Sequence, residues 1–179
     1  MIQNWTVEEA LRHARHDFMN QLQLIKGNLD LNRVDQAKLI IDGIVMEAQR
    51  ESMLSKLKSP NFVEWLLTYN WTKNVIHLEY DIIAVEENHR LKEDVLVEWL
   101  GTFLKQLENQ VELMTENNLC LKINITSEES RFILDFQGII KDEINISKWL
   151  KRGLLSEEME VTLQSLSNKE IVLELIVKS

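Results

Sequence analysis

The sequence predicts an α+β protein, with a helical hairpin over residues 1–58 followed by an α/β sandwich over residues 59–179. Three observations predict it. Apolar residues recur every three or four positions as far as Leu57, which is helical periodicity. Beyond the single proline, Pro60, alternating apolar runs interrupt that pattern, as strands do. The charge balance also changes there. Residues 1–58 hold eight basic and eight acidic side chains, whereas residues 59–179 hold twelve and twenty-one, which accounts for the net charge of −9.

The first helix runs from about Trp5 to Leu31, with Val7, Leu11, Ala14, Phe18, Leu22, Ile25 and Leu29 forming one apolar stripe. Thr6 suits its N-cap, and Glu9, three residues on, completes a capping box. Asn32-Arg33-Val34 breaks the pattern, and a second helix follows from about Asp35 to Leu57. Its apolar positions are Ile40, Ile41, Ile44, Ala48 and Leu57, with Val45 alongside. Ser59-Pro60 stops it, because a residue before proline disfavours helical dihedrals. So short a turn makes the pair an antiparallel hairpin. Alone, the hairpin buries neither stripe well, whereas two hairpins pair as a four-helix bundle; a homodimer is therefore expected.

Asn61–Asn74 reads as a helix with Phe62, Trp65, Leu66 and Tyr69 on one side. Val75–Val85 alternates as a strand, and Asp94–Thr115 reads as a longer helix. Leu119–Ile125 and Phe132–Phe136 read as strands around a Ser127-Glu128-Glu129-Ser130 turn. A short helix at Ile144–Arg152 precedes a closing hairpin, Met159–Leu166 and Ile171–Val177. Irregular alternation with an antiparallel ending suits a sandwich of sheet and helices. No internal repeat or low-complexity stretch occurs.

Several function classes are disfavoured. The start lacks a basic region followed by an apolar one, so no signal peptide is expected. No apolar run approaches the ~18 residues that span a bilayer. An acidic chain without a basic stripe makes a poor nucleic-acid binder. Cys120 is the single cysteine, which excludes an intrachain disulfide and fits a reducing cytoplasm. A cytoplasmic protein with protein partners is the expectation.

His16 carries the candidate chemistry. It lies two positions from both Ala14 and Phe18, about 200° round the helix from the stripe, so it faces outward. Arg12, His13, Met19 and Asn20 share its face at i−4, i−3, i+3 and i+4. An unprotonated exposed imidazole is a nucleophile. Attack on an aspartyl phosphate gives a phosphohistidine, a transfer governed by positioning and charge neutralisation. Asp17 is placed to hold one ring nitrogen, and Arg12 or Arg15 to offset phosphate charge. Gln23 and Gly27 continue the face. Glycine inside a helix costs about 1 kcal/mol against alanine, so Gly27 is read as admitting a partner's helix. His13, Met19, Gln23 and Gly27 are the candidate partner contacts. From the residues alone a plain surface histidine remains open. So does a metal pair at His13 and Asp17, although a third ligand is lacking.

Arg15-His16-Asp17-Phe18-Met19-Asn20-Gln21-Leu22-Gln23-Leu24-Ile25-Lys26-Gly27-Asn28-Leu29 resembles the phosphoacceptor helix of the sporulation initiation phosphotransferase B family. The resemblance continues at Glu51-Ser52 and Leu54 to Pro60, and recurs at Leu78-Glu79-Tyr80 and Leu134-Asp135-Phe136. It implies a four-helix bundle in a homodimer and a phosphohistidine at His16. It further implies phosphoryl passage from a single-domain response regulator to a response-regulator transcription factor controlling sporulation. Magnesium then belongs to the regulator, and no cofactor to this chain. The C-terminal domain is implied to resemble a histidine-kinase ATP-binding domain that no longer serves as one.

The His16 motif also resembles citrate- and dicarboxylate-type sensor histidine kinases. Asn109 resembles the asparagine of their nucleotide site. Asp135-Phe136-Gln137-Gly138 keeps only part of an Asp-x-Gly-x-Gly loop, however, and near the lid position only Gly153-Leu154-Leu155 occurs. Phosphate cradles need glycines that let backbone N–H groups approach, so no productive ATP binding is expected. A third reading is an adaptor that binds a regulator without transferring phosphate.

Overall fold

The computed structural model describes residues 5–87, 89, 91–153 and 158–178. The chain separates into two compact units, Met1–Met53 and Leu54–Ser179.

The first unit is the helical hairpin. Helix α1 spans Val7–Asp30 and α2 begins at Val34, extending to Leu54. The capping box forms as expected: Glu9 N–H donates to Thr6 Oγ1 at 3.2 Å, and Thr6 N–H donates to Glu9 Oε2 at 2.9 Å. Two of the orphan donors at the helix start are thereby satisfied. At the other end Asn32 adopts φ 56°, a left-handed conformation that asparagine tolerates well. Arg33 N–H then closes onto the Asn28 carbonyl at 2.8 Å. Between the helices Gln21 Nε2 donates to Glu47 Oε2 at 3.3 Å. Ala37 is the one fully buried side chain among the described residues of this unit. The α1 stripe lies open, with Val7, Leu11, Phe18, Leu22 and Leu29 between 42% and 77% exposed.

The second unit opens with a 3-10 turn at Ser55–Leu57, so regular α2 ends three residues before the expected Leu57. Lys58 turns the chain with φ 49°. Helix α3, Pro60–Thr68, starts with proline at its first position, where a missing N–H costs nothing. The amides of Asn61 and Phe62 donate to Glu93 Oε2 at 2.9 and 3.2 Å, so a distant carboxylate caps this helix. A 3-10 turn, Tyr69–Trp71, replaces the last part of the helix expected to reach Asn74. His89 has its two ring nitrogens 2.5 Å from the Glu86 carbonyl and 2.6 Å from that of Leu57, which holds the loop beside the turn.

Strands β1 (His77–Val85), β2 (Asn118–Ile125), β3 (Glu129–Gln137), β4 (Met159–Leu166) and β5 (Glu170–Lys178) form one sheet in the order β1-β2-β3-β5-β4. Among the described strands only β1 and β2 pair in parallel. Their crossover contains helix α4, Glu93–Glu108, as parallel neighbours require. Both edge strands carry a register irregularity, at Ile82/Ala84 and Leu163/Ser165, a device that discourages edge-to-edge pairing. Glu129 and Ser130 belong to β3 rather than to the expected turn, and Ser130 is buried.

Alternation sorts the sheet into two faces. Leu119, Leu121, Ile123 and Ile125 of β2, Phe132, Leu134 and Phe136 of β3, and Ile171, Leu173, Leu175 and Val177 of β5 are all buried. The helices cover this face. Phe62 of α3 meets Phe132 edge-on with ring centroids 5.8 Å apart. Trp99 and Phe103 of α4 gather with Trp149 of α5 (Glu143–Gly153), the centroids lying 5.3–6.1 Å apart. The opposite face is polar and half-buried, and there Arg131 bridges Glu129 and Glu174 at 2.6 and 2.5 Å.

One element differs markedly from the sequence reading. The helix expected to reach Thr115 ends at Glu108. Asn109 Nδ2 turns back onto the Lys105 carbonyl at 2.9 Å, and Val111 leaves to form an isolated bridge with Ile140. Tertiary pairing overrides the local helical pattern there.

Candidate functional site

The site grows from the middle of α1. Helical periodicity sets the outward direction of His16, and its side chain is 70% exposed. Asp17 Oδ1 lies 3.2 Å from His16 Nδ1, and Asn20 Nδ2 lies 3.3 Å from the same nitrogen. Both neighbours lie against one edge of the imidazole, and Nδ1 can bond either of them. No described residue partners Nε2, which stands open to an incoming group. With Nδ1–H donating to Asp17, Nε2 bears the lone pair. The arrangement can therefore offer an oriented nucleophile at the protein surface.

Arg12 and Arg15 are exposed within one turn of His16, and Met19 and Gln23 are exposed further along the helix. Gly27 is also exposed, and a Cβ there would meet nothing within 4 Å. No packing among the described residues demands a glycine at that position. Arg15, His16, Asp17, Asn20 and Arg12 thus share one open stretch of helix, and the structure sets Asp17 and Asn20 each against His16. The Trp5 ring meets that of His13 edge-on with centroids 5.0 Å apart, and the His13 side chain is half-buried. Trp5, expected as the first residue of the helix, instead precedes the Thr6 cap, so no helical angle fixes its direction and periodicity could not place it beside His13.

The Glu9 carboxyl is held below its ordinary value, first by the hydrogen bonds with Thr6, then by Arg12 and His13. No cluster of three or more metal-ligating side chains occurs among the described residues. Likewise, none of their helices is long and apolar enough to cross a membrane. Burial raises the Cys120 thiol more than Lys122 lowers it, which keeps it protonated and unreactive.

The residues read as remnants of a nucleotide site have other employment. Asn109 is exposed and spent on its own helix end. Asp135 lies on the polar face of the sheet, opposite the helices, and accepts from Gln137 Nε2 at 3.0 Å. Gly138 is explained by packing, since a Cβ there would collide with Asn117 Oδ1 and the Phe136 ring. Gly153 ends α5, and Leu154 and Leu155 lie outside the described residues.

Two family models match the chain, one on either side of residues 57 and 58. Residues 58–178 match the family model described as sporulation initiation phosphotransferase B, C-terminal. Residues 2–57 match the one described as the alpha-helical domain of SpoOB-type sensor kinases. The sporulation initiation phosphotransferase B of Bacillus subtilis (strain 168) is 29% identical over 167 residues, covering 92% of this chain and 86% of that protein. Among solved structures, the Acinetobacter baumannii histidine kinase AdeS aligns with 91% of this chain and 97% of its own, at 9% identity and a TM-score of 0.47. A structure described as a bacterial phosphotransferase covers 98% of this chain and 99% of its own, at 11% identity and a TM-score of 0.40. On the strength of the match over residues 58–178, this chain belongs to the sporulation initiation phosphotransferase B family.

Proposed function

We propose that the protein is a phosphorelay phosphotransferase of the cytoplasm. It accepts a phosphoryl group on His16 from the aspartate of a single-domain response regulator and passes it to the aspartate of a second regulator, a transcription factor controlling sporulation. The observation that carries this reading is the His16 ring, exposed, tethered at Nδ1 and open at Nε2. Reversible transfer between nitrogen and carboxylate oxygen needs little covalent machinery beyond positioning. Arg12 and Arg15 offset charge on the incoming phosphoryl group, and any magnesium is the regulator's. Met19, Gln23 and Gly27 extend the same face, and the open space at Gly27 suits the close approach of a regulator helix.

The active form is a homodimer in which two hairpins make a four-helix bundle. The open apolar stripe of α1, together with exposed Ile41 and Val45 of α2, supports this. Residues 59–179 add partner contacts without binding ATP. The engagement of Asn109, Asp135 and Gly138 described above supports that absence.

The deciding experiment mixes purified protein with a radiolabelled phosphorylated single-domain regulator. Acid-labile label is expected on the parent and none on His16→Ala. Equal labelling of both would overturn the reading. Label from ATP in the absence of any partner would instead favour a kinase.

A further inference from the structure

Two side-chain atoms of opposite hydrogen-bonding character compete for one nitrogen of His16. Asp17 Oδ1, 3.2 Å from Nδ1, can only accept, and Asn20 Nδ2, 3.3 Å from the same atom, can only donate. A neutral imidazole carries one N–H, so Nδ1 satisfies one of them at a time. As a donor to Asp17 it leaves the lone pair on Nε2. As an acceptor from Asn20 it leaves the proton on Nε2 and the outer nitrogen without a nucleophilic pair.

We propose that Asn20 is a positioning residue that sets how long a phosphoryl group stays on His16, an inference that rests on the relay reading. Once Nε2 carries the phosphoryl group, Nδ1 has two states. Protonated and donating to Asp17, it is ready for transfer. The Nε2–P bond breaks as the acceptor carboxylate forms its O–P bond, the N–P electron pair stays on Nε2, and Nδ1 keeps its proton. The product is a neutral imidazole, and no further proton is taken up or released. Unprotonated and accepting from Asn20, the ring would have to leave as an imidazolate, a far poorer leaving group. Asn20 therefore stores the phosphoryl group and Asp17 makes it available. The two residues flank the ring from adjacent turns of α1, so one helix carries both settings.

The test uses the full chain. His16 is loaded with phosphoramidate, and loss of the phosphohistidine signal is followed by phosphorus NMR. The ring tautomer of the unphosphorylated protein is read separately by long-range proton–nitrogen correlation, well above neutral pH. Asn20→Leu, which keeps the bulk and removes the donor, should lose phosphoryl roughly threefold to tenfold faster, the factor one hydrogen bond supplies. It should also move the ring toward the Nδ1–H tautomer. Asp17→Asn should slow the loss and move the tautomer the other way. An Asn20→Leu protein with parental lifetime and parental tautomer overturns the proposal while leaving the relay intact. A parent that takes no phosphoryl group on His16, from phosphoramidate or from a phosphorylated regulator, sinks the relay reading and this proposal together.

Discussion

At the scale of single residues, helical angle made His16 legible. Its outward direction follows from its distance to Ala14 and Phe18, and its contact with Asp17 from adjacency. Trp5 against His13 was not legible, since the ring packs back from outside the helix. Gly138 was read as the remnant of a phosphate loop, and its packing reason lies in Asn117, more than twenty positions away in sequence. Gly138→Ala forces overpacking against a buried amide and a buried ring. It should cost about 1–3 kcal/mol, read as a lower urea midpoint. Gly27→Ala meets open space and removes only helical entropy. It should stabilise α1 by about 1 kcal/mol, read as a higher helical melting temperature. If the two variants behaved alike, the packing explanation of Gly138 would be wrong.

At the scale of elements, helix starts were easier to read than helix ends. The Thr6–Glu9 box needs only residue types at a fixed spacing, and it formed. Thr6→Ala should cost about 1 kcal/mol of hairpin stability, seen as lost helicity by circular dichroism. The same box has a pH signature. Glu9 is depressed below its ordinary value of 4.5 in the folded chain. Its stabilisation is therefore present above that value and is lost as pH falls through the lower folded value. Acid titration of the parent should show a transition there that Thr6→Ala weakens. The end of α4 was not legible, because a helix pattern running on to Thr115 is cut by the bridge between Val111 and Ile140. A partner that far along the chain leaves no local signal. The 3-10 endings after α2 and α3 were missed for a milder reason, since i,i+3 and i,i+4 periodicities differ little over three residues.

For the whole molecule, the switch from helical to alternating periodicity near Pro60 announced an α+β protein. Strand order was beyond reach, because sequence gives alternation and not neighbours: β5 lies between β3 and β4. The exposed α1 stripe was anticipated from the hairpin's inability to cover it. If a second copy covers it, Leu22→Glu combined with Val45→Glu should give a monomer by light scattering, with a helical melting temperature no longer dependent on concentration. A parent that is already monomeric at the highest concentration tested would refute the bundle.

The lone parallel pairing of β1 with β2 also bears on how the chain assembles. The β2–β3 and β4–β5 hairpins join neighbours in sequence, whereas β1 must wait for a loop containing α4 to close. Non-local pairing of this kind is kinetically late. During refolding, pulse-labelled amides of β1 should therefore gain protection after those of β2 and β3, leaving the β2 edge briefly unguarded and the chain most prone to aggregate in that interval.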